Sequence, residues 1–439
     1  MQYAVMEGSM TDNVVFLHGQ PSKLGHFVRI GSGHRQFETL LGAGRMPIQS
    51  VVIEAATASK QKELVTSLKE AGRELILDTN VAELSCLGKF EGQAKAAPWA
   101  DPDGPLTPDH FSRGPNYDVI GKIARFAIER HFDVVHAPTH MLANSTSQWL
   151  RIDRDACIAL RRALDSEGRN DIGIDYPLMT TVAALRDPIQ RRTFMETIKD
   201  LPIDNIWLRI SGFGAEATAM GIRRYIAAVA EFLRLDRPII VDGVGGIAAL
   251  ATVAFGAAGG ISHGVAEKER FDASDWDNPR SSGGGGSEKR VLIPGLDRLL
   301  NMTQMETLMA APGGRRLCSC NDRSCCPHGW DDTQRDPKGH YLIQRSKQMQ
   351  ALSSIPDARR IEHFLDQDLA NANRTARKAA RIRTNDEALR EVLVRSSERL
   401  ERISAVLAEL QNTVGDGPRS FSPQRRSASG RGAARNNRR

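Results

Sequence analysis

No apolar run in this 439-residue chain approaches the roughly 20 residues that a membrane-spanning helix needs, so no contact with a membrane is expected. The start, Met1-Gln2-Tyr3-Ala4-Val5-Met6-Glu7, has neither a basic opening nor an apolar core, which speaks against a secretion signal and for a cytoplasmic location. A phosphate-loop lysine motif is missing, and so is a G-x-G-x-x-G in a strand-to-helix setting, which argues against nucleotide hydrolysis and nicotinamide chemistry. No His-x-His stands on the first strand, against the usual layout of metal-dependent amidohydrolases. Cysteine is scarce, six in all, yet four of the six fall within nine residues: Cys318, Cys320, Cys325 and Cys326.

In a reducing compartment such a cluster points to a metal rather than to disulfides. Zinc takes four soft or borderline ligands in a tetrahedron, and thiolates on a tight loop supply most of them. The gaps depart from the two-residue spacing of common zinc hairpins, so a site that has lost its metal and a redox pair at Cys325-Cys326 are the competing readings; adjacency would strain a disulfide there. The fourth ligand is His328, His340 or His363, and spacing alone does not choose among them.

The formal charge of +6 is unevenly placed. Residues 417–439 hold seven arginines and no acid, which leaves the preceding 416 residues at −1. A tail this rich in Arg, Ser, Gly and Pro is expected to be disordered and suited to phosphate backbones through counterion release.

From about residue 27 one unit repeats, a short β-branched run followed by a helical stretch. The predicted strands are Phe27–Ile30, Ser50–Ala55, Glu74–Asp78, Phe132–Ala137, Asp171–Asp175, Asn205–Ser211, Pro238–Asp242 and Ala258–Ser262. Eight such units over roughly 240 residues fit an α/β protein of the (β/α)8, TIM-like barrel class, with a doubly wound open sheet as the competitor. The even count and the glycines at Gly243, Gly245, Gly246, Gly256, Gly259 and Gly260 favour closure. The predicted organisation is an N-terminal segment (1–26), the barrel (27–279) with a long Pro-rich insert at about 79–131, and a Gly/Ser linker (280–289). A zinc-binding helical appendage (290–380), an amphipathic helix (381–414) and the disordered basic C-terminal tail (415–439) follow. The insert reads as a lid or specificity element. Leu389, Leu393, Leu400, Ile403, Leu407 and Leu410 form a heptad seam broken by Ser396, either packed on its own domain or joining a homo- or hetero-dimer through residues 386–411.

Reactive groups of such barrels sit at the C-terminal ends of strands, here His34, Glu54, Asp78, His140, Asp175, Ser211, Asp242 and His263. Asp78, Asp175 and Asp242 each end an apolar run, where a carboxylate is expensive unless solvated or partnered. Carboxylates beside histidines suit acid–base work, a covalent glycosyl intermediate or a second metal.

A barrel followed by Cys318, Cys320, Cys325 or Cys326, then Tyr341-Leu342, then Arg360-Ile361-Glu362-His363, resembles the tRNA-guanine transglycosylases, whose zinc motif runs in that order. Within the barrel, Ser211-Gly212-Phe213-Gly214-Ala215-Glu216 is similar to the family's base-pocket segment, Leu77-Asp78-Thr79-Asn80 to its aspartate segment, and Asp242-Gly243-Val244-Gly245 to its Gly-Val-Gly strand end. The resemblance spans roughly residues 27–375. It implies structural zinc on Cys318, Cys320, Cys325 (or Cys326) and His363, and exchange of a purine or 7-deazapurine base on tRNA or DNA. Asp78 inherits the role of general base, with His140, Asp175, Ser211, Gly212, Phe213, Gly214 and His263 around the substrate. The family's nucleophilic aspartate ends the eighth strand, where this chain reads Gly260-Ile261-Ser262-His263-Gly264, so Asp242 or Glu267 is expected to supply it. Thr139-His140 also stands where the family has an acid. A catalytically altered nucleic-acid-binding partner subunit is the alternative.

Overall fold

Eight parallel strands close on themselves: β1 (Gly25–Arg29), β2 (Ser50–Glu54), β3 (Glu74–Asp78), β4 (Val134–His136), β5 (Gly173–Thr181), β6 (Asn205–Ser211), β7 (Ile239–Asp242) and β8 (Gly260–His263). Each pairs with its sequence neighbour, and β8 returns to β1 with Val28 opposite His263. The protein is therefore a closed (β/α)8 barrel. The structure is a computed structural model and describes residues 21–86, 93–112, 118–266, 269–277, 289–413 and 419–426. Most of the predicted linker, Glu267 and the tail beyond Arg426 lie outside the described residues.

Helices α1 (His34–Gly42), α2 (Lys62–Glu70), α3 (Val119–Glu129), α4 (Gln148–Ser166), α5 (Pro188–Ile198), α6 (Ala219–Ala230) and α7 (Gly246–Ala254) follow the first seven strands. Their starts are written in the sequence: Asp118, Ser147, Asp187 and Thr218 each accept a backbone N–H of the first turn. After β8 come the hairpin β9 (Arg290–Ile293) and β10 (Arg298–Asn301), α8 (Met302–Ala310) and the cysteine loop. Then α9 (Pro337–Ser353) packs on both α1 and α7, so it fills the eighth helix position and the cysteine region is inserted between β8 and its helix. The chain continues through α10 (Ala370–Ala379) to α11 (Glu387–Thr413).

Side chains alternate along each strand, and two rows of the interior define the molecule. Phe27, Val52, Ile76, Val134, Trp207 and Ile240 pack as one apolar layer inside the barrel. Two residues further along the same six strands stand Arg29, Glu54, Asp78, His136, Arg209 and Asp242, a row of ionisable groups at the mouth.

Three expectations change. The fifth strand runs to Thr181 rather than ending at Asp175, because Pro177 does not stop it. Its carbonyl accepts from Thr139 Oγ1 (2.8 Å) on the side where β4 has already ended at His136, so the missing N–H leaves no partner strand wanting. The heptad seam of α11 is buried against α6 and α10, so of its two readings the seam takes packing on its own chain, and Ser396 donates to Leu296 O at 2.6 Å.

The third change concerns the tail, whose residues 419–426 cross the N-terminal face of the barrel instead of hanging free. Ser420 N donates to Gly256 O (2.7 Å), Gln424 and Asn205 exchange hydrogen bonds (2.8 and 3.1 Å), and Arg426 pairs with Asp204 (2.9 Å). Arg425 pairs with Glu74 and lies over the Phe27 ring. A side chain at Gly259 would collide with the Phe421 carbonyl, which explains a glycine there.

Candidate functional site

Arg29 organises the mouth. Its Nε and Nη2 donate to the two oxygens of Asp242 (3.1 and 2.6 Å), and its Nη1 donates to Asp78. Burial alone would raise both carboxylates, but Arg29, backed by Arg209, overrides it and holds each below the usual range. Both are therefore ionised at neutral pH. Asp78 keeps some exposure, 14%, and accepts the Asn80 N–H (3.1 Å), whereas Asp242 is 0% exposed. Asp242 reaches the cavity, but both of its oxygens are engaged by Arg29, which ties up the carboxylate expected to act as nucleophile.

A cavity of about 240 Å³ opens above this row. It is lined by Arg29, Glu54, Arg209 and Asp242 from the strands, Glu83 and Ala94 from the insert after β3, and Gly243, Arg270 and Phe271. The insert thus contributes to the mouth wall. Trp99 anchors it, donating Nε1 to Thr79 O at 2.9 Å. Gly243 has φ +74, and a side chain there would strike Phe271, so the glycine lets the aromatic wall close in.

Glu54 faces the cavity, neighbours Asp78 in register, and has no side-chain partner among the described residues. Arg209 stacks on Phe271 (4.3 Å to the ring centroid) and stays 3.8 Å from both Asp78 and Asp242. His136, 1% exposed, has no hydrogen-bond partner for either ring nitrogen, sits edge-on to Trp207 (4.5 Å), and is pushed by burial down to about 4, hence neutral. Arg29, His136 and Arg209 escaped the strand-end reasoning, although each lies two residues beyond a central apolar residue, and that spacing would have found them.

The other expected substrate groups fall elsewhere. Asp175 lies near the start of β5, facing the opposite end of the barrel, where Asn205 Nδ2 (2.6 Å) and Trp207 Nε1 (2.8 Å) donate to it. Burial pushes it up to about 7. His263 points outward from β8 and bonds to His26 (3.0 Å) and Tyr341 Oη (3.0 Å) beneath α9. His140 is held by Asp153 of α4 (2.6 Å) and stacks on Trp149 (3.7 Å), away from the cavity. Ser211 Oγ accepts from Ala273 N (2.9 Å), Gly212 N donates to Phe271 O (2.9 Å), and Phe213-Gly214 pairs antiparallel with Arg270-Phe271. Phe213 itself stacks on Tyr225. This segment props the Phe271 wall rather than touching the cavity.

The thiols converge as a candidate metal centre, with a different set. Cys320, Cys325, Cys326 and His340 have ligand atoms within 4.8 Å of one another. Cys325 and Cys326 Sγ lie 3.6 Å apart, and His340 Nδ1 lies 3.4 and 3.5 Å from them. A tetrahedron with metal–sulfur bonds of about 2.3 Å and metal–nitrogen bonds of about 2.0 Å has edges of roughly 3.5–3.8 Å. His340 Nε2 faces Leu292 O at 3.0 Å, a contact that places the proton on Nε2 and bares Nδ1 towards the sulfurs. Hydrogen bonds from Cys325 and Cys326 hold the Cys320 thiol well below its ordinary value. The four residues could hold a metal ion. Cys318 is not among them: it ends a short helix with its thiol in the apolar core, pushed up to about 11 by burial. His363 lies in a groove with Pro356, Arg359 and Asp366. His340 instead of His363 joins the set, because it stands on the first turn of α9, one position before Tyr341.

No family model and no curated protein matches the chain, so the transglycosylase likeness rests on the motif residues. Solved structures similar to it include an endo-1,4-β-xylanase of Penicillium canescens (11% identity, 56% of this chain and 82% of that one, TM-score 0.36). A type I 3-dehydroquinate dehydratase of Clostridium difficile matches at 9% identity over 60% of this chain and 92% of that one, TM-score 0.35. A GH10 xylanase from Bispora matches at 11% identity over 57% and 84%, TM-score 0.38.

Proposed function

We propose that the barrel mouth exchanges a purine-type base on tRNA or DNA by carboxylate-mediated glycosyl transfer. The observation that carries this reading is the pair at the ends of β2 and β3: Glu54, without a partner, and ionised Asp78 beside a cavity sized for a single heterocycle. The target nucleotide would be flipped into the mouth. Glu54 attacks the anomeric carbon as the bond to the base breaks, and the departing base takes its proton from water; the incoming base then gives its proton to Asp78, which returns it to water, and displaces Glu54. Asp242 keeps Arg29 in place. Zinc on Cys320, Cys325, Cys326 and His340 would have no open position, so it would brace the appendage. Arg315, Arg316, Arg374, Lys378, Arg381 and Arg383 are exposed on that appendage and suit a phosphate backbone.

Incorporation of labelled guanine into tRNA and duplex DNA tests this. Glu54→Gln and Asp78→Asn should each abolish it, and a variant that keeps the wild-type rate removes its residue from the mechanism. The lack of a carboxylate at the end of β8 favours a second reading, a non-catalytic nucleic-acid-binding subunit. Salt-sensitive binding by the wild type without any exchange would establish it.

A further inference from the structure

Both ring nitrogens of His136 are buried without a hydrogen-bond partner among the described residues, on a side chain that is 1% exposed. A buried polar group in that state costs free energy until water or a ligand meets it. The ring is not there to hold a neighbouring side chain. It packs edge-on against Trp207 at 4.5 Å and lines a void of about 10 Å³, room for a single water. Asp78, Thr79, Arg29 and Arg209 line the same void. The charged groups that face the ring are Asp78, Asp242, Arg29 and Arg209, two of each sign, and burial keeps the imidazole neutral among them. A neutral imidazole offers one donor and one acceptor nitrogen, which lets it fix the orientation of a water.

Resting on the base-exchange reading, we propose that His136 is a positioning residue: it holds, in the void beside Asp78, the water through which the proton of the exchange cycles. This water gives a proton to the departing base and is left as hydroxide, with the His136 ring and the Arg29 and Arg209 guanidiniums around it. Asp78 takes the proton of the incoming base and passes it to the hydroxide, which restores the water. One proton is lent and one returned, so the cycle closes without a further acid or base.

NMR of the full chain with 15N-labelled histidine tests the hold without turnover. The His136 ring should carry one proton at neutral pH and show a nuclear Overhauser contact from it to water; a ring proton without that contact overturns the proposal. Labelled-guanine incorporation into tRNA and duplex DNA tests the role. His136→Phe and His136→Met, which cannot hold the water, should lower kcat about a hundredfold with KM nearly unchanged. His136→Gln, with a donor and an acceptor at its tip, should keep most of the rate, and thermal melts show which variants fold. A folded His136→Phe or His136→Met at the wild-type kcat, or a folded His136→Gln as slow as they are, overturns the role of His136 and leaves base exchange standing. A wild type that exchanges no base in either nucleic acid removes both.

Discussion

Arg29 settles which carboxylates of the mouth are structural. Asp242 is fully buried with both oxygens on the guanidinium, so Asp242→Asn leaves a buried cation half-paired and should cost about 3–5 kcal/mol. Glu54 has no such partner among the described residues, and Glu54→Gln should shift stability by less than about 0.5 kcal/mol while removing the proposed exchange. Urea midpoints of the two variants decide the matter: an Asp242→Asn protein as stable as wild type would mean that the Arg29 pair contributes little. The sequence showed Asp78 and Asp242 as carboxylates that needed partners. It did not show Arg29, because the partner lies on a strand 49 residues from one and 213 from the other.

At the scale of elements, the strand positions were readable because each is a short β-branched run, and the barrel followed from their number and spacing. Two features needed tertiary context. β5 continues through Pro177 only because β4 ends beside it, and that continuation moves Asp175 from the mouth to the far end. The tail has the composition of a disordered segment, yet the starts of β1, β3, β6 and β7 present Gly25, Glu74, Asn205 and the Ile239 N–H, which residues 420–425 meet. Truncation after residue 418 should therefore cost about 2 kcal/mol more than truncation after 426, the scale of two or three hydrogen bonds. Equal melting temperatures for the two truncated chains would show that the docked segment is not held.

For the molecule as a whole, two buried sets of acids give stability opposite slopes with pH. Asp78 and Asp242 have lowered folded pKa values, so their contribution is present above the unfolded value of 3.8 and is lost as the pH falls below it. Asp175 is raised to about 7 from 3.8, with Asn205, Trp207, Asp204 and Arg425 around it. The folded chain then binds more protons there than the unfolded one, so stability is greatest in acid and declines as pH rises through about 7, by at most about 4 kcal/mol. Asp175→Asn should flatten that decline. Denaturation at pH 5 and pH 8 measures it, and an unchanged difference in the variant would mean that Asp175 ionises freely in the fold.

The metal centre and the mouth are joined through one helix. His340 and Tyr341 are adjacent on the first turn of α9; Tyr341 Oη donates to Glu269 (2.8 Å), and Arg345, one turn on, holds both oxygens of the same carboxylate (2.6 and 3.0 Å). The next residues, Arg270 and Phe271, form the cavity wall. Were the proposed metal to leave this site, that turn should loosen and, through Glu269, the wall. Under the proposed function, chelation or His340→Ala releases the metal, raises amide exchange at 289–353 and at 269–273, and slows the proposed base exchange, with β2 to β4 still protected. His363→Ala should leave metal content unchanged. Loosening confined to residues 318–340, with 269–273 as protected as before, would show that Glu269 does not transmit the state of the metal site to the mouth.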